Sequence, residues 1–500
     1  MYDAFVAEER RVVVIGSGPP GAAAALFLCR AGAEVLLLDA GPERAALGLT
    51  ARVRGFTVLK VRRRLRQRQD VTATSDPKAE LFEELAPGGL TNHWSCAVPR
   101  FSPEDFADAE RAGEPYGWPI GYEDIAPWYD QVEPLLRIAG TASTHAQLPA
   151  GKVRHPRQLG ADWGPVAEEA KRCDRAIAPM PYAYGAETTL TLSGTVFNSF
   201  VRLIRPELRS GRMTARHDAR VLRLEWSPQE RRVNAVTFLD LRTGRENRAR
   251  CGAVVLAASA IGSAEILLAS SSPDFPEGLG NTHGVLGHYL HDHPLGKLVV
   301  DLGRAISIHP PSYLTRPALD RTPPLYAAAC MQWSGTGTVA RSVLGGKPGK
   351  LPSIGFSVFG TMAPSPDNWV ALDRARPRPD GQPGLQLHIR YPPGAQQALD
   401  QARDDLAQVL NRAGFQPRVR IWHVEPVGDS KHYGGTCRMH RSPQFGMLDG
   451  WNRLHAVRNV AVVDSSAFTT GPEKNPVLTA MALAARASGR LASDLMAGDL

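Results

Sequence analysis

Apolar runs separated by a glycine-rich turn dominate the start of the chain. The β-branched run Val12 to Ile15 is typical of a buried parallel strand, and the alanine-rich stretch 22–31 has helical propensity. Gly32 ends this predicted helix, and a second apolar run, Val35 to Leu38, predicts another strand. Strand, helix and strand in this order are typical of a parallel α/β sheet.

Later parts of the chain add two further patterns. Short apolar runs at 253–258 and 460–463 predict additional strands of the same sheet. Alternating runs at 351–359 and 385–391 instead favour an antiparallel sheet, and 396–413 has the pattern of an amphipathic helix. We therefore predict an α/β fold, in which a Rossmann-like domain is interrupted by an α+β domain built on an antiparallel sheet.

The positions of these patterns predict a discontinuous domain organisation. The nucleotide-binding domain would consist of residues 1–95, 211–296 and 426–500. A substrate-binding domain would consist of residues 96–210 and 297–425. The length of 500 residues agrees with two domains, because single hydrophobic cores rarely serve chains beyond about 250–300 residues.

Composition is that of a globular protein, with its excess charge in one segment. Hydrophobic residues make up 43% and charged residues 22%, which excludes a disordered or fibrous chain. The net charge of +8 equals the eight basic residues from Arg52 to Arg68, a basic segment without any acidic residue. We interpret it as a solvated helical face. Alternatively, the segment could contact an acidic partner, nucleic acid or a membrane surface, or it could border the nucleotide site. Binding of single-stranded nucleic acid has little support, because Phe56 is the only aromatic residue in the segment that could stack on a base.

The six cysteines are distributed singly and form no C-x-x-C pair, which is typical of reduced thiols in a cytoplasmic protein. The longest apolar stretch, Ala22 to Cys29, is too short to span a bilayer. The N-terminus reaches a strand before any apolar region of the signal-peptide type. We therefore expect a cytoplasmic protein without a membrane span.

The first candidate site is the turn between the first predicted strand and helix. Its sequence, Gly16-Ser-Gly18-Pro-Pro-Gly21, matches the G-x-G-x-x-G pattern. Such glycines permit a tight turn, close approach of the backbone to a pyrophosphate, and close packing of helix on strand. Asp39 follows the second strand, where a carboxylate accepts hydrogen bonds from ribose hydroxyls. The combination predicts a dinucleotide site and does not separate FAD from NAD.

The second candidate site combines two segments near the C-terminus. His432 begins the segment HYGGTCRM, and Asn475-Pro476 precedes an alanine-rich helix that follows the strand ending at Asp464. Pro476 suits the first position of that helix, and Asn475 suits its N-cap. A helix N-terminus stabilises negative charge beside it, and a histidine can take the proton of a substrate hydroxyl. We predict that His432 accepts this proton and that Asn475 binds the oxygen.

The chain resembles the glucose-methanol-choline (GMC) flavoprotein oxidoreductases over nearly its whole length. The resemblance rests on six segments: GSGPPG…LLLDAG, PGG (87–89), 118–140, 254–268, YLHDHP (289–294), and HYGGTCRM together with NPVLTAM. It implies FAD as cofactor and FAD-dependent oxidation of a CH–OH group to a carbonyl, with hydride transfer to flavin N5. His432 would be the proton acceptor and Asn475 its partner.

The resemblance also implies contacts with the flavin. Gly88 and Gly89 open a segment that is similar to the pyranose-oxidase branch, in which a histidine at this place is joined covalently to the flavin. His93 is therefore a candidate tether, although Asn92 stands where that branch has threonine. A packed or hydrogen-bonded histidine beside Trp94 is the favoured alternative.

Three further residues complete the predicted cofactor site. Val221 would contact adenine through its backbone, with an ordinary strand residue as the alternative, and Asp464 and Pro476 would lie at the flavin. Asp39 stands where the family usually has glutamate, but a shorter acid also reaches a ribose. The histidines from His283 to His293 have no cysteine or carboxylate at zinc-site spacing, so we predict no metal site.

We predict an enzyme that oxidises a sugar, aminosugar or other polyol-like alcohol. Oxygen, a quinone or a redox protein would reoxidise the flavin, and nucleic acid would not be a partner. One alternative is a flavin-fold protein with a binding or regulatory role. Another is a flavin monooxygenase or amine oxidase that shares only the N-terminal fold. The sequence does not indicate the oligomeric state or decide between an oxidase and a dehydrogenase.

Overall fold

The structure is a computed structural model that describes residues 11–43, 49–53, 56–61, 65–141, 145–185, 188–191, 196–307, 311–316, 327–331 and 350–500. Its α-helices are α1 (Pro19–Arg30), α2 (Pro103–Arg111), α3 (Tyr122–Leu136), α4 (Gly164–Arg172), α5 (Arg205–Arg209), α6 (Ser259–Ala269), α7 (Ala395–Arg412) and α8 (Val477–Ala497). Short 3₁₀-helices cover Gly89–Asn92, Ala161–Trp163 and Ser465–Ala467, and a π-helical turn covers Phe200–Ile204. Across these described ranges, no helix is both long and apolar enough to cross a bilayer.

The strands within these described ranges fall into seven sheets. They are β1 (Arg11–Ile15), β2 (Glu34–Leu38), β3 (Leu49–Val53), β4 (Phe56–Val61), β5 (Arg66–Gln67), β6 (Val71–Ala73), β7 (Phe82–Glu83), β8 (Ala139–Gly140), β9 (His155–Pro156), β10 (Ile177–Pro179), β11 (Thr188–Thr191), β12 (Met213–Arg216), β13 (Ala219–Ser227), β14 (Arg232–Asp240), β15 (Arg245–Arg250), β16 (Ala253–Leu256), β17 (Leu295–Ser307), β18 (Ser312–Leu314), β19 (Ala327–Met331), β20 (Lys350–Gly360), β21 (Trp369–Pro377), β22 (Pro383–His388), β23 (Arg418–Val424) and β24 (Val460–Val462).

Five strands form a parallel sheet in the order β12–β2–β1–β16–β24. In the central strand β1, Val12 pairs with Val35 of β2 on one side and with Ala253 of β16 on the other. Val254 of β16 pairs in turn with Val460 of β24. The predicted Rossmann-like α/β fold is confirmed. We did not predict β12, because its sequence, MTAR, contains no apolar run.

Helix packing brings the two ends of the chain together. α1 packs against α8, and α8 also packs against α3. Ala22 and Ala25 of α1 and Ala482 and Ala485 of α8 are completely buried. Short side chains at such an interface let helix axes approach closely. The N-terminal βαβ unit and the C-terminal helix therefore belong to one packed body.

Six strands form an antiparallel sheet in the order β10–β18–β19–β20–β17–β23. The predicted run at 351–359 lies in β20 of this sheet, whereas the run at 385–391 falls on β22 of the separate sheet β21–β22–β6. One face of this sheet packs Leu298 and Phe356 in a core with Leu406 of α7. Since neighbouring residues of a strand point to opposite faces, Leu295 and Phe359 lie on the other face, where they line a cavity.

The predicted two-domain division stays a prediction. All strands of the parallel sheet lie in the three segments assigned to the nucleotide-binding domain. The strands of the antiparallel sheet lie in the other two segments, except that β17 begins at Leu295, just before the predicted boundary. α3, from the predicted second domain, packs against α8 of the first.

The basic segment does not form the predicted helix where the structure describes it. β3 and β4 pair as an antiparallel hairpin, and β5 pairs with β7. Arg54 and residues 62–64 lie outside the described residues. The Arg68 side chain is 5% exposed and binds Asp70 at 2.8 Å and Glu265 at 2.7 Å. The helical interpretation is therefore wrong, and Arg68 is a buried ion-pair residue rather than part of a solvated face.

Candidate active site

A cavity of about 540 Å³ lies between the parallel sheet and the antiparallel sheet. Gly16, Asp39 and Ala257 line it just beyond the carboxyl ends of β1, β2 and β16. Leu295 and Phe359 line it from the antiparallel sheet. Ligands of doubly wound sheets bind at this edge. The predicted nucleotide site and the predicted catalytic residues therefore share one space.

The first glycine turn is packed too tightly for a side chain at two of its glycines. Gly16 has a left-handed φ of +97°, and a Cβ there would lie 2.4 Å from the backbone oxygen of Ala257. A Cβ on Gly21 would lie 2.0 Å from the oxygen of Gly16. Gly18 lines the cavity, and a Cβ there would have no atom within 4 Å. α1 begins with a Pro-Pro pair without N–H groups, so its start offers fewer backbone donors but keeps its dipole.

Asp39 is buried beside this turn and lines the cavity. Its carboxylate accepts hydrogen bonds from the Ser17 amide at 3.0 Å, from the Ser17 hydroxyl, and from the Gly41 amide at 2.8 Å. Burial raises the pKa of Asp39, and the Ser17 hydrogen bond opposes that effect. Since a carboxylate has about four acceptor sites, one is left for a ribose hydroxyl. That contact stays a prediction.

The second glycine segment contacts the first. Gly88 has a φ of +93° and donates its N–H to the Ser17 hydroxyl at 2.8 Å. Gly89 lines the cavity, and a Cβ there would lie 3.6 Å from Cα of Gly18. Asn92 is not among the cavity-lining residues, and its side chain donates to the Gly89 oxygen at 2.9 Å. Asn92 therefore stabilises this turn, and its direct contact with a cofactor stays a prediction.

His93 lines the cavity together with Glu84. The distance between His93 Nε2 and Glu84 Oε2 is 2.5 Å, and the two side chains are 11% and 9% exposed. A carboxylate at this distance holds the imidazole in one orientation. The arrangement agrees with the hydrogen-bonded alternative, and the covalent tether stays a prediction.

Val221, Asp464 and Pro476 line the same cavity. Val221 lies in β13 beside a bulge. The carboxylate of Asp464 accepts hydrogen bonds from the Ser263 hydroxyl at 2.5 Å and from the Ser466 amide at 2.9 Å, and burial raises its pKa. All three are therefore placed where they can contact a ligand in this cavity.

His432 and Asn475 meet in the cavity although they lie in separate loops. The distance from Asn475 Nδ2 to His432 Nε2 is 3.3 Å, and both residues line the cavity. α8 begins at Val477, one residue later than predicted, and no side-chain hydrogen bond caps it. The predicted N-cap role of Asn475 is therefore wrong, because its amide faces His432 instead of the helix.

Two rings enclose the imidazole of His432. Phe359 stacks on it with ring centroids 5.6 Å apart, and His293 meets it edge-on at 4.9 Å. Burial lowers the pKa of His432 well below its ordinary value, and His293 and Lys431 act in the same direction. The ring is therefore neutral at neutral pH, the form that accepts a proton. Nδ1 is buried without a hydrogen-bond partner among the described residues, so Nε2 is the nitrogen that meets Asn475.

Asp292 holds the backbone of His432. Its carboxylate accepts hydrogen bonds from the His432 amide at 2.8 Å, from the Gly428 amide at 3.1 Å, and from the Ser430 hydroxyl. Burial raises the pKa of Asp292 to about 6, and the Ser430 hydrogen bond opposes this shift. Asp292 is not among the predicted site residues, and its place as an acid inside the YLHDHP segment is the sequence feature that points to it.

His291, one of the clustered histidines, packs against two glycines of the HYGGTCRM segment. A Cβ on Gly434 or on Gly435 would lie 2.6 Å from a ring nitrogen of His291, which explains both glycines after Tyr433. Burial lowers the pKa of His291 to about 3. Within the described ranges, no group of three or more His, Cys, Asp or Glu side chains could hold a metal ion.

The residues at the glycine end of the cavity fit a dinucleotide. Open space faces Gly18, Asp39 keeps an acceptor site, and the N-terminus of α1 points to the same place. The cavity then continues to His432. One bound group can therefore reach from the glycine turn towards the His432–Asn475 pair.

Two family models match the chain. The model for an FAD binding domain matches residues 11–299, and the model for GMC oxidoreductases matches residues 364–484. The chain is 27% identical to 2-methyl-1,2-propanediol dehydrogenase of Mycolicibacterium austroafricanum, over 96% of this chain and 95% of that protein. It is 28% identical to paromamine 6'-oxidase of Streptomyces fradiae, over 97% and 92%. The crystal structure of pyridoxine 4-oxidase from Mesorbium loti shares the fold, with a TM-score of 0.65, 16% identity, and coverage of 96% and 98%.

Proposed function

Because the chain belongs to the GMC oxidoreductase family, we propose that it oxidises the CH–OH group of a sugar, aminosugar or other polyol-like alcohol to a carbonyl. The family predicted from the sequence is confirmed, and the cofactor is FAD. When bound, FAD supplies the hydride acceptor, flavin N5. The relatives named for a diol and for paromamine support the substrate class.

The observation that carries the proposal is the neutral His432 imidazole beside the Asn475 amide. Asn475 Nδ2 lies within hydrogen-bond distance of His432 Nε2, at 3.3 Å, so one substrate hydroxyl oxygen can approach both groups. The hydroxyl would donate its proton to His432 Nε2, and the same oxygen would accept a hydrogen bond from Asn475 Nδ2. The amide would then stabilise negative charge on the oxygen as the proton leaves.

The surrounding residues favour this proton transfer. Phe359 and Leu295 provide apolar walls, which exclude water and strengthen the polar interactions inside. Pro476 and Val477 line the cavity at the start of α8. The positive end of this helix dipole therefore faces the site and favours negative charge there.

We propose that the predicted cofactor residues hold FAD without a covalent bond. Those that line the cavity and would contact FAD are Gly16, Gly18, Asp39, Gly89, His93, Val221, Asp464 and Pro476. Gly21, Gly88 and Asn92 do not line it and would act by shaping the two glycine turns. The close contact between His93 and Glu84 supports a hydrogen-bonded role for that histidine.

The alternatives from the sequence are less well supported. A monooxygenase or amine oxidase that shares only the N-terminal fold would match its relatives over that part, whereas the relatives named above align with 96–97% of this chain. A flavin-fold protein without catalysis would need no neutral histidine next to an amide in its cavity.

We further propose that the enzyme works in the cytoplasm and that oxygen, a quinone or a redox protein reoxidises the flavin. The five described cysteines whose side chains are placed are all free, which suits a reducing compartment. Reoxidation rates with oxygen and with a quinone or dye would separate an oxidase from a dehydrogenase.

The test is anaerobic bleaching of the flavin absorbance by a panel of diols, sugars, aminosugars and simple alcohols. His432→Ala should keep FAD bound and slow bleaching by about 10²–10⁴-fold, the usual share of general acid–base catalysis. His423→Ala is a matched control, because this histidine is 53% exposed and does not line the cavity. Bleaching by no member of the panel, or an unchanged rate in His432→Ala, would contradict the proposal.

A further inference from the structure

Lys474, which directly precedes Asn475, is completely buried. Its Nζ lies 2.6 Å and 2.9 Å from the two carboxylate oxygens of Asp105, and 3.4 Å from Glu473 Oε1. Burial acts to lower the pKa of Lys474, but the charges of Asp105 and Glu473 outweigh it and raise the pKa above its ordinary value. A buried ammonium is tolerated only when it is paired in this way. Lys474 is therefore a charged residue held in one position.

Asp105 connects Lys474 to the start of α2. The same carboxylate accepts hydrogen bonds from the Ser102 amide at 2.6 Å and from the Ser102 hydroxyl at 2.9 Å, and so forms the capping box of α2. A capping box fixes the geometry of a helix start. The carboxylate that binds Lys474 is therefore itself fixed at the start of a helix.

Glu473 connects the same loop to the antiparallel sheet. The hydroxyl of Tyr313 in β18 donates to Glu473 Oε1 at 2.9 Å. The Arg316 guanidinium lies 3.6 Å from Glu473 Oε1 and binds Asp108 of α2 at 2.6 Å. These side chains are buried, with Arg316 and Glu473 at 1% exposure. Two elements, α2 and β18, thus hold the backbone that leads into Asn475.

We propose that Lys474 is a positioning residue, which keeps Asn475 against His432 by fixing the backbone directly before it. The Lys474 side chain lies in the buried ion network, whereas Asn475 lines the cavity. Lys474 itself does not line the cavity, so its influence on the substrate passes through Asn475. The inference rests on the proposed function in one respect, namely that Asn475 serves the oxidation.

The proposal predicts a specific pattern of rates in a double-mutant cycle. Lys474→Met should slow anaerobic flavin bleaching on the order of 10–10²-fold, since displacement of a reacting group by about 1 Å can cost 10²-fold. Asn475→Ala should also slow it. The double variant should be no slower than Asn475→Ala alone, because Lys474 has nothing left to position.

A second readout needs no substrate. The pKa of His432 can be followed by NMR in holoenzyme with labelled histidine, with His432→Gln to assign the signal. Loss of the Asn475 N–H donor removes a bond to the neutral ring, so the pKa should rise in Asn475→Ala and in Lys474→Met. The charged or titratable groups that act on this ring, His293, Lys431 and Lys297, are unchanged in both variants. In the Asn475→Ala background, Lys474→Met should cause no further rise in the pKa of His432. If the Lys474 charge acted directly on the ring, its loss would raise that pKa further even in this background.

Arg175→Met is the matched control. Arg175 has a side chain that is 3% exposed, binds Asp405, and does not line the cavity. Arg175 also donates to the Thr315 oxygen at 2.8 Å, so loss of this buried guanidinium should lower the melting temperature without changing the bleaching rate or the His432 pKa. If Lys474→Met does not fold, Asp105→Asn weakens the same contact and should show a smaller effect of the same pattern.

Wild-type values in Lys474→Met for both the rate and the His432 pKa, or additive effects in the double variant, would overturn the proposal. If no alcohol bleaches the wild-type flavin, the proposed function fails, while the histidine titration still decides the positioning role. The two failures are therefore distinguishable.

Discussion

The Asp292 carboxylate lies 2.8 Å from the backbone amide of His432, so a buried acid holds the backbone of the proposed proton acceptor. Burial raises the pKa of Asp292 from 3.8 to about 6. Folded protein therefore takes up a proton on this group at a higher pH than unfolded protein does. It follows that the contribution of Asp292 to the free energy of unfolding rises as the pH falls from about 6 towards 4.

We expect Asp292→Asn to remove this contribution, because an amide does not titrate. The free energy of unfolding, measured with urea at several pH values between about 4 and 6, should therefore rise in the wild type relative to this variant as the pH falls. Asp404→Asn is the control, because hydrogen bonding to Arg403 lowers the pKa of Asp404 and moves its titration below this range. Equal pH dependence in Asp292→Asn and wild type would contradict the assignment.

As the pH is lowered from neutral, the rate of flavin reduction should stay constant until the pH is below the ordinary pKa of histidine. Burial lowers the pKa of His432, so the ring is protonated, and loses its acceptor nitrogen, only at a lower pH than an exposed histidine. Stopped-flow bleaching at saturating alcohol across the acid range measures this limb. An acid limb centred at or above about 6.5, the ordinary histidine value, would show that His432 is not the group that titrates.

Alanine at two glycines of the first turn should have different effects. In Gly21→Ala, the new Cβ would lie 2.0 Å from the Gly16 oxygen, and such overpacking costs about 1–3 kcal/mol. Gly18→Ala has open space and a φ of −57°, so its apoprotein should melt like wild type while FAD binds more weakly. Thermal unfolding of the apoproteins and FAD titration separate the two effects. A Gly21→Ala apoprotein as stable as wild type would contradict the packing argument.

Acid denaturation should release FAD into the supernatant. Glu84 lies 2.5 Å from His93 Nε2, and we propose that this pair is hydrogen-bonded and not joined to the flavin. Absorbance of the supernatant and of the redissolved pellet measures the distribution of FAD. Yellow colour that stays with wild-type protein but not with His93→Ala would establish a covalent link instead.

The sequence predicted features that depend on neighbouring residues. The runs at β1, β2, β16 and β24 are apolar because both sheet faces are covered, and the glycine turn carries its own pattern. Features that depend on distant partners were missed or wrong. Asn475 resembles an N-cap locally, but its amide meets His432 in the folded chain.

The same limit applies to the other differences. Nothing in β12 signals a strand, since its position is set by pairing with β2. The basic segment has residues that a helix tolerates, yet β3 pairs with β11 and β5 with β7. Asp292 and Lys474 were missed because their partners lie in other segments.

The pairing of β16 with β24 and the packing of α1 on α8 also bear on biosynthesis. The glycine turn leaves the ribosome well before β24, Asn475 and α8 are translated. Because a domain generally folds as a unit and these late segments supply part of the cavity lining, we expect that a nascent chain without them does not enclose FAD. A ribosome stalled before β24 should therefore hold a chain that does not retain FAD.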